Sequence, residues 1–387
     1  MFRICLKMLF NDRAKFFGIL MGVMLASLVI TQQGSIFVGI MHRACSIISD
    51  MPAAEIWVMD PKVQYIEDQK PMTATQLPRV RGVEGIEWAM PFYKGQIRAR
   101  LDNGQVINCV LLGYDDATLV GGPGEMAQGK LENLRGADAV IVDEVAATGR
   151  LAKPPTTPGG QPTPLQIGDT LELNDNRAVV VGIARMTRSF QNLPAIVTTY
   201  SRATTMAPRE RRNLSYILVK PAPGVDKAEL CRRITETTGL AAYTSLEFRW
   251  MTVNYFLKYT GIPINFGLAV GLGFLVGTVI TGFMFYNFTL DNLRYFATFK
   301  AMGASDVRLM LMLLLQAVTV GLLGFGLGVG LTGLFGISTQ NAPIAFFLTW
   351  QLLVVAGCAI IIICMLSAML AIRKVIRLEP GVVFKGA

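Results

Sequence analysis

The stretch NLRYFATFKAMGAS, Asn292 to Ser305, sets Arg294 and Lys300 between two long runs, Ile262–Leu290 and Leu309–Phe335, that contain no charged residue. Two further runs of this kind occur, Phe16–Met41 and Phe346–Ile372. A helix needs about 20 consecutive apolar residues to cross a hydrocarbon core, and all four runs exceed that. The whole chain agrees: of 387 residues 52% are apolar and only 16% charged, too apolar for a soluble protein of this size. The first run is too long, and too far behind the N-terminus, to read as a cleaved leader. The expectation is a membrane protein with four transmembrane helices, at 16–41, 262–290, 309–335 and 346–372.

Cationic side chains are retained on the cytoplasmic side of a span, so their distribution gives orientation. Arg3, Lys7, Arg13 and Lys15 lie in segment 1–15, Arg294, Lys300 and Arg308 in 291–308, and Arg373, Lys374, Arg377 and Lys385 in 373–387. Against these eleven cations stand Asp12, Asp291, Asp306 and Glu379, so seven of the nine net charges belong to three short flanks. Both termini and the opening stretch are therefore expected in the cytoplasm, and segment 42–258 outside it. The basic balance reports topology and gives no argument for nucleic acid.

The outer segment alternates strand-like and helix-like pieces. EIWVM (55–59) reads as a strand and TATQLPRVRGV (73–83) as a short helix. GQIRARLDNGQVINCVLLG (95–113) and GDTLELNDNRAVVVGIARM (168–186) read as strand pairs around turns at 102–104 and 174–176. AVIVDEVAATGRL (139–151) is a strand leading into a helix, and the stretch from Ser215 to Ser245 reads strand, helix, strand. LAKPPTTPGGQPTPLQ (151–166) is a loop. An α+β module built from the two ends of the segment, with a β-rich insertion between them, is the expected arrangement. LEFRWMTVNYFLKYT (246–260) has helical spacing and leads towards the second span, which predicts a stalk carrying Phe248, Trp250 and Phe256.

Catalytic and metal-binding patterns are absent. GEMAQGKL (124–131) matches the Gly and Lys spacing of a phosphate-binding loop, but Leu131 replaces the magnesium-ligating hydroxyl and no apolar strand feeds it. The single histidine, His42, reads as an interfacial anchor, and no paired-cysteine metal spacing occurs. No Asp, Glu, Lys, Arg or His falls within the four runs, whereas ion-driven transporters keep such groups near the midplane. Glycines spaced by four, Gly267 with Gly271 and Gly324 with Gly328, allow close helix approach, either within the bundle or at a dimer seam.

Within the opening stretch, helical spacing puts Leu293, Phe296 and Ala297 on one side and Tyr295, Phe299 and Met302 nearer the other, with Gly303 placed to end the helix. Aromatic residues on both sides leave more apolar surface than headgroups must take up, so this helix is expected to carry a docked partner. An interfacial helix lying in the headgroups is the alternative.

LRYFATFKAMGASDVRL resembles the cytoplasmic segment after the second transmembrane helix of the FtsX/MacB-like ABC transporter permeases. EIWVMDP, AVIVDE, IGDTLEL with AVVVGIA, and AIRKVIRLEPGVVFKG are similar too, especially to the DevC-type subfamily without a fused ATPase domain. Tyr295 and Phe296 stand where many relatives carry an acidic residue. The resemblance implies four transmembrane helices plus an α+β extracytoplasmic domain, a MacB-like periplasmic core, between helices 1 and 2. It also implies a bacterial inner-membrane permease that forms a homodimer in the lipid bilayer. Such a chain is non-catalytic: ATP and magnesium act through a separate cytoplasmic ABC ATPase, docked on Arg294, Tyr295, Phe296, Phe299, Lys300, Met302 and Gly303. Outside, a membrane-fusion adaptor and an outer-membrane channel are implied, with mechanotransmission driving export from the periplasm or outer leaflet. The alternatives are an FtsX-like signalling permease controlling an extracytoplasmic hydrolase, and an ATP-independent membrane receptor.

Overall fold

The computed structural model describes residues 2–155, 160–208, 213–339, 342 and 344–376; the expected tail beyond 376 and parts of the loops 151–166 and 336–345 lie outside them. The chain divides into two compact units, 1–40 with 261–387, and 41–260.

The first unit begins with a helix over Phe2–Asn11 (α1), where segment 1–15 was expected only as a flank. Leu9 is fully buried and Met8 packs on a neighbouring cluster, so α1 belongs to the bundle. The signal was present in the amphipathic spacing of FRICLKMLFN, too short for a span but long enough to lie on one. Asp12 ends α1 and starts the second helix, Arg13–Ala44 (α2): its carbonyl accepts from the Phe16 N–H at 3.0 Å, and its carboxylate from the Lys15 N–H at 3.3 Å.

In the second unit α3 (Ser46–Ser49) leads to β1 (Ile56–Met59), whose four residues are all buried. Side chains alternate between sheet faces, so Ile56 and Val58 join one core and Trp57 and Met59 the other. A strand covered on both faces needs an apolar residue at every position. After α4 (Gln76–Arg81) comes β2 (Ile86–Arg100), fifteen residues long, then β3 (Val106–Tyr114), β4 (Met126–Gly129), β5 (Ala139–Asp143) and α5 (Glu144–Thr148). Strands β6 (Thr170–Leu173) and β7 (Asn176–Ala184) are joined through Asn174 and Asp175, both with positive φ, as a tight twisted hairpin requires. The rest are β8 (Ala195–Thr199), α6 (Tyr200–Met206), β9 (Tyr216–Pro221), α7 (Lys227–Thr238), β10 (Ala241–Thr244) and α8 (Ser245–Tyr259).

Strand pairing shows the expected α+β module and more. The order β10-β1-β9-β2 is antiparallel throughout and, with α4 and α7 on one face, forms a split βαβ sheet. The insertion is a closed ring: β2-β3-β8-β5-β7-β6 returns to β2, where Ala99 and Arg100 pair with Leu173 and Glu172. Its interior holds Ile97, Ala99, Leu111, Val140, Val142, Leu171, Val180 and Ile196. The first half of β2 pairs with β9 and the second with β3, so one strand belongs to both parts. The sequence GEMAQGK, which mimics a phosphate loop, supplies β4, paired antiparallel with β7.

Helix α8 opens with a reciprocal cap in which Thr244 Oγ1 accepts from the Glu247 N–H (3.2 Å) and Glu247 accepts from the Thr244 N–H (2.9 Å). It ends at Thr260, whose extended backbone breaks the helix, and α9 (Ile262–Asp291) starts afresh with proline in its first turn. The stalk is thus a separate helix and not an extension of the second span, because Thr260, Gly261 and Pro263 interrupt the ladder. The bundle continues with α10 (Leu293–Ala301), α11 (Asp306–Ser338) and α12 (Trp350–Ile376). Four of its helices, α2, α9, α11 and α12, are long and apolar enough to cross a membrane. The last begins at Trp350, four residues later than expected. Residues 344–349 instead pack across the bundle, with the Phe347 N–H donating to the Ser35 carbonyl (3.0 Å), and Thr349 Oγ1 accepts from the Leu352 N–H (3.4 Å) to cap α12.

Candidate coupling surface

Helix α10 connects α9 to α11 and is built in two layers. Phe296 and Ala297 are fully buried; Phe296 packs with Leu309, Met312 and Leu313 of α11, and Met8 of α1 and Phe299 lean on the same cluster. Phe296 is therefore unavailable to a partner, a correction to its expected role: the inward face of the helix needs an anchor, and Phe296 is it. Arg294, Tyr295, Thr298, Ala301, Met302 and Gly303 are exposed, Tyr295 by 55% and Met302 by 69%. Phe299 and Lys300 lie between the two layers. Of the seven expected contact residues, four form one exposed rim, two border it and one anchors it.

The rim is held rigidly. Asn292 Nδ2 donates to the Phe288 carbonyl at 2.8 Å, locking the corner between α9 and α10. Lys15 of α2 is paired both with Asp12 (2.7 Å) and with Asp291, the last residue of α9, so one ammonium joins two corners. Beyond α10, Gly303 takes a left-handed φ of +89° and its N–H donates to the Lys300 carbonyl at 3.1 Å.

The bundle behind the rim has a polar seam. Thr31 of α2 and Thr332 of α11 share a hydroxyl bond of 2.7 Å, and Ser27 Oγ donates to the Phe325 carbonyl at 3.3 Å. The glycine pairs separate here. A Cβ on Gly324 would meet Val23 Cγ1 at 2.7 Å, and one on Gly328 would meet Ser27 at 2.6 Å, so both pack α11 on α2. Around Gly267 and Gly271 on α9 there is no atom within 4 Å of a Cβ among the described residues, so neither packs inside the bundle.

Among the expected stalk residues, Phe248 is fully buried against Trp57 (5.6 Å between ring centroids) and Tyr216 (5.9 Å). Phe256 is buried against Phe190 (4.7 Å) and Tyr65 (5.6 Å), whereas Trp250 is 59% exposed. Phe248 and Phe256 thus fasten α8 to the sheet and to the loop before β8. Sequence reading missed a buried pair: Lys94 of β2, inaccessible to solvent, is ion-paired with Glu67, and burial pushes its ammonium below the usual lysine range against the opposing pull of Glu67. Cys109 and Cys231 are buried free thiols pushed up to about 12 by burial, hence unreactive.

A family model described as MacB-like periplasmic core domain matches residues 16–237, and one described as FtsX-like permease C-terminal matches residues 249–380. Uncharacterized ABC transporter permeases from two strains of Mycobacterium tuberculosis are each 25% identical over 249 residues, 63% of this chain. The match spans 62% of the length of those relatives. Among solved structures, the periplasmic region of MacB from Actinobacillus actinomycetemcomitans is 14% identical, with 54% of this chain and 96% of that one covered at a TM-score of 0.38. For the extracellular domain of the noncanonic ABC-type transporter YknZ from Gram-positive bacteria the values are 13%, 49%, 98% and 0.34.

Proposed function

The chain belongs to the FtsX/MacB-like ABC transporter permeases, and from that membership we propose that it is the DevC-type, mechanotransmitting subunit of an exporter. Permeases of this family imply a cytoplasmic ATPase as partner. In this reading two copies of the chain each receive an ATPase on the rim formed by Arg294, Tyr295, Met302 and Gly303, with Phe299 and Lys300 at its border. Both termini lie in the cytoplasm and the 42–258 segment in the periplasm, where a membrane-fusion adaptor leading to an outer-membrane channel engages it. ATP and magnesium are bound and hydrolysed in the partner, and substrate is expelled from the periplasm or the outer leaflet.

The observation that supports this most is the two-faced build of α10. Phe296 is fixed among α11 side chains while Tyr295 and Met302, its near neighbours, are bare. A push on the rim is delivered to the bundle without slack, as close-packed interiors deform little. From the bundle α2 continues as an unbroken helix to Ala44, a path for movement outwards. The lack of Asp, Glu, Lys, Arg and His in the four apolar runs fits a mechanism in which no polar substrate crosses the hydrocarbon core.

The test is ATP hydrolysis by the candidate ATPase with and without this chain in lipid nanodiscs. Stimulation that disappears in Met302→Asp and Tyr295→Asp, both folded, is the expected result. A folded chain that neither binds nor stimulates the ATPase would overturn this reading in favour of an ATP-independent receptor.

A further inference from the structure

Helix α8 keeps one stripe buried, Phe248, Thr252 and Phe256, spaced by four residues. Phe248 meets the strands through Trp57 and Tyr216, whereas Thr252 and Phe256 meet the connection that follows β1. There the Ile66 N–H donates to Thr252 Oγ1 (3.3 Å), and the Tyr65 ring stacks on Tyr255 with 4.0 Å between centroids and 12° between planes. One hydroxyl in an aromatic stripe fixes position along the helix. If α8 slid by a turn past this connection, Phe248 or Phe256 would take the place of Thr252, and the Ile66 N–H, in a residue 1% exposed, would lose its acceptor. An axial displacement of α8 therefore takes Ile66 with it.

The next links are equally direct. The Ile66 carbonyl accepts from the hydroxyl of Tyr216, the first residue of β9, at 2.9 Å, and the Glu67 carboxylate is ion-paired with Lys94 of β2. Three consecutive residues, Tyr65, Ile66 and Glu67, thus hold α8, β9 and β2. Lys94 sits at the crossover of β2, because pairing with β9 ends at Phe92 and pairing with β3 begins at Tyr93. Its N–H donates to Ser215 Oγ and its carbonyl accepts from the same hydroxyl (3.1 Å each), which fixes the backbone at that point. A buried ion pair adds little stability over apolar side chains of the same shape, but a charge-assisted hydrogen bond sets direction and distance as an apolar contact does not.

We propose that Thr252, Ile66, Glu67 and Lys94 form a coupler that makes β2 follow axial movement of α8, with Glu67 and Lys94 as its positioning residues. Displacement enters β2 where the sheet hands over to the ring, so it reaches both parts of the outer unit. The coupler rests on the mechanotransmission reading for the source of the movement; the linkage itself is a property of the outer unit.

The test is a double-mutant cycle read by deuterium exchange of the full chain in nanodiscs, since coupling between two elements shows as non-additivity. Thr252→Val keeps the shape of the side chain and removes the acceptor, and is expected to speed exchange of the β2 amides at 97–100 several-fold. Thr252→Ser, which keeps the hydroxyl, is expected to leave them at their natural rate. In a chain carrying Lys94→Met and Glu67→Leu, the further change Thr252→Val is expected to have no effect on those amides. Should that background fail to fold, Glu67→Gln takes its place and the same comparison decides. Unchanged exchange at 97–100 in Thr252→Val, or an equal change in both backgrounds as loss of packing alone would give, overturns the proposal. No ATPase enters the measurement, so its failure is told apart from failure of the docking reading.

Discussion

Lys300 and Asp306 form an ion pair of 2.9 Å across the turn that joins α10 to α11. Beneath it the Ala304 N–H donates to the Phe299 carbonyl at 3.0 Å, and Gly303 supplies the left-handed residue that lets the chain reverse. The proposed docking rim is thereby tied to the next helix by main chain and side chain together.

Gly303→Ala is expected to weaken this joint. A Cβ there meets no atom within 4 Å among the described residues, so the cost is conformational, about 1–2 kcal/mol for a left-handed L-residue. Thermal unfolding should show a chain that still folds, while the proposed stimulation of the candidate ATPase falls by more than the loss of folded protein accounts for.

Phe296→Ala and Met302→Ala should separate anchor from rim. Truncating the buried ring is expected to destabilise the bundle by about 3–5 kcal/mol, and truncating the exposed methionine by less than about 0.5 kcal/mol. Unfolding curves of the two variants in one detergent check this.

Lys94→Met leaves Glu67 without its partner and is expected to cost about 3–5 kcal/mol, most of it regained in Lys94→Met with Glu67→Leu. A double-mutant cycle measures the pair. The pH dependence has a defined sign. Lys94 titrates below its ordinary 10.5, so between its lowered value and 10.5 the unfolded chain holds a proton that the folded chain has shed. Its contribution to stability therefore rises with pH across that window, and Lys94→Met should flatten the slope.

Gly328→Leu and Gly271→Leu should behave oppositely. At Gly328 the new Cβ would lie 2.6 Å from Ser27 and 2.8 Å from the Met24 carbonyl, so α11 has to leave α2 and the bundle loses stability. At Gly271 a Cβ meets no atom within 4 Å among the described residues. That variant should keep its unfolding temperature, and if the α9 face is the seam of a homodimer, its mass in native mass spectrometry should fall to that of the single chain.

Much of this was legible in the sequence because it rests on local pattern. The faces of α10 follow from the spacing of Phe296 and Ala297 against Tyr295 and Met302, and β1 from an unbroken apolar run. What local pattern could not give was closure. The ring of strands depends on Ala99 meeting Leu173, seventy-four residues away, and neither Ser215 nor Asn174 announces that its polar atoms stand in for a strand. Nothing in the sequence around Lys94 marks it as buried, since only the tertiary fold lays Glu67 over it. The break between the stalk and the second span lies at Thr260, an ordinary residue whose extended backbone becomes evident only beside Gly261 and Pro263.

The sharing of β2 between sheet and ring has a mechanical consequence. At roughly 3.3 Å per residue its fifteen residues form a tie about 50 Å long, with β9 gripping one end and β3 and β6 the other. Tension drawn between the two ends loads those rungs in shear, so they must fail together, whereas a hairpin peeled from its tip gives way one rung at a time. The outer unit is built to take a pull along this axis without its two parts coming apart.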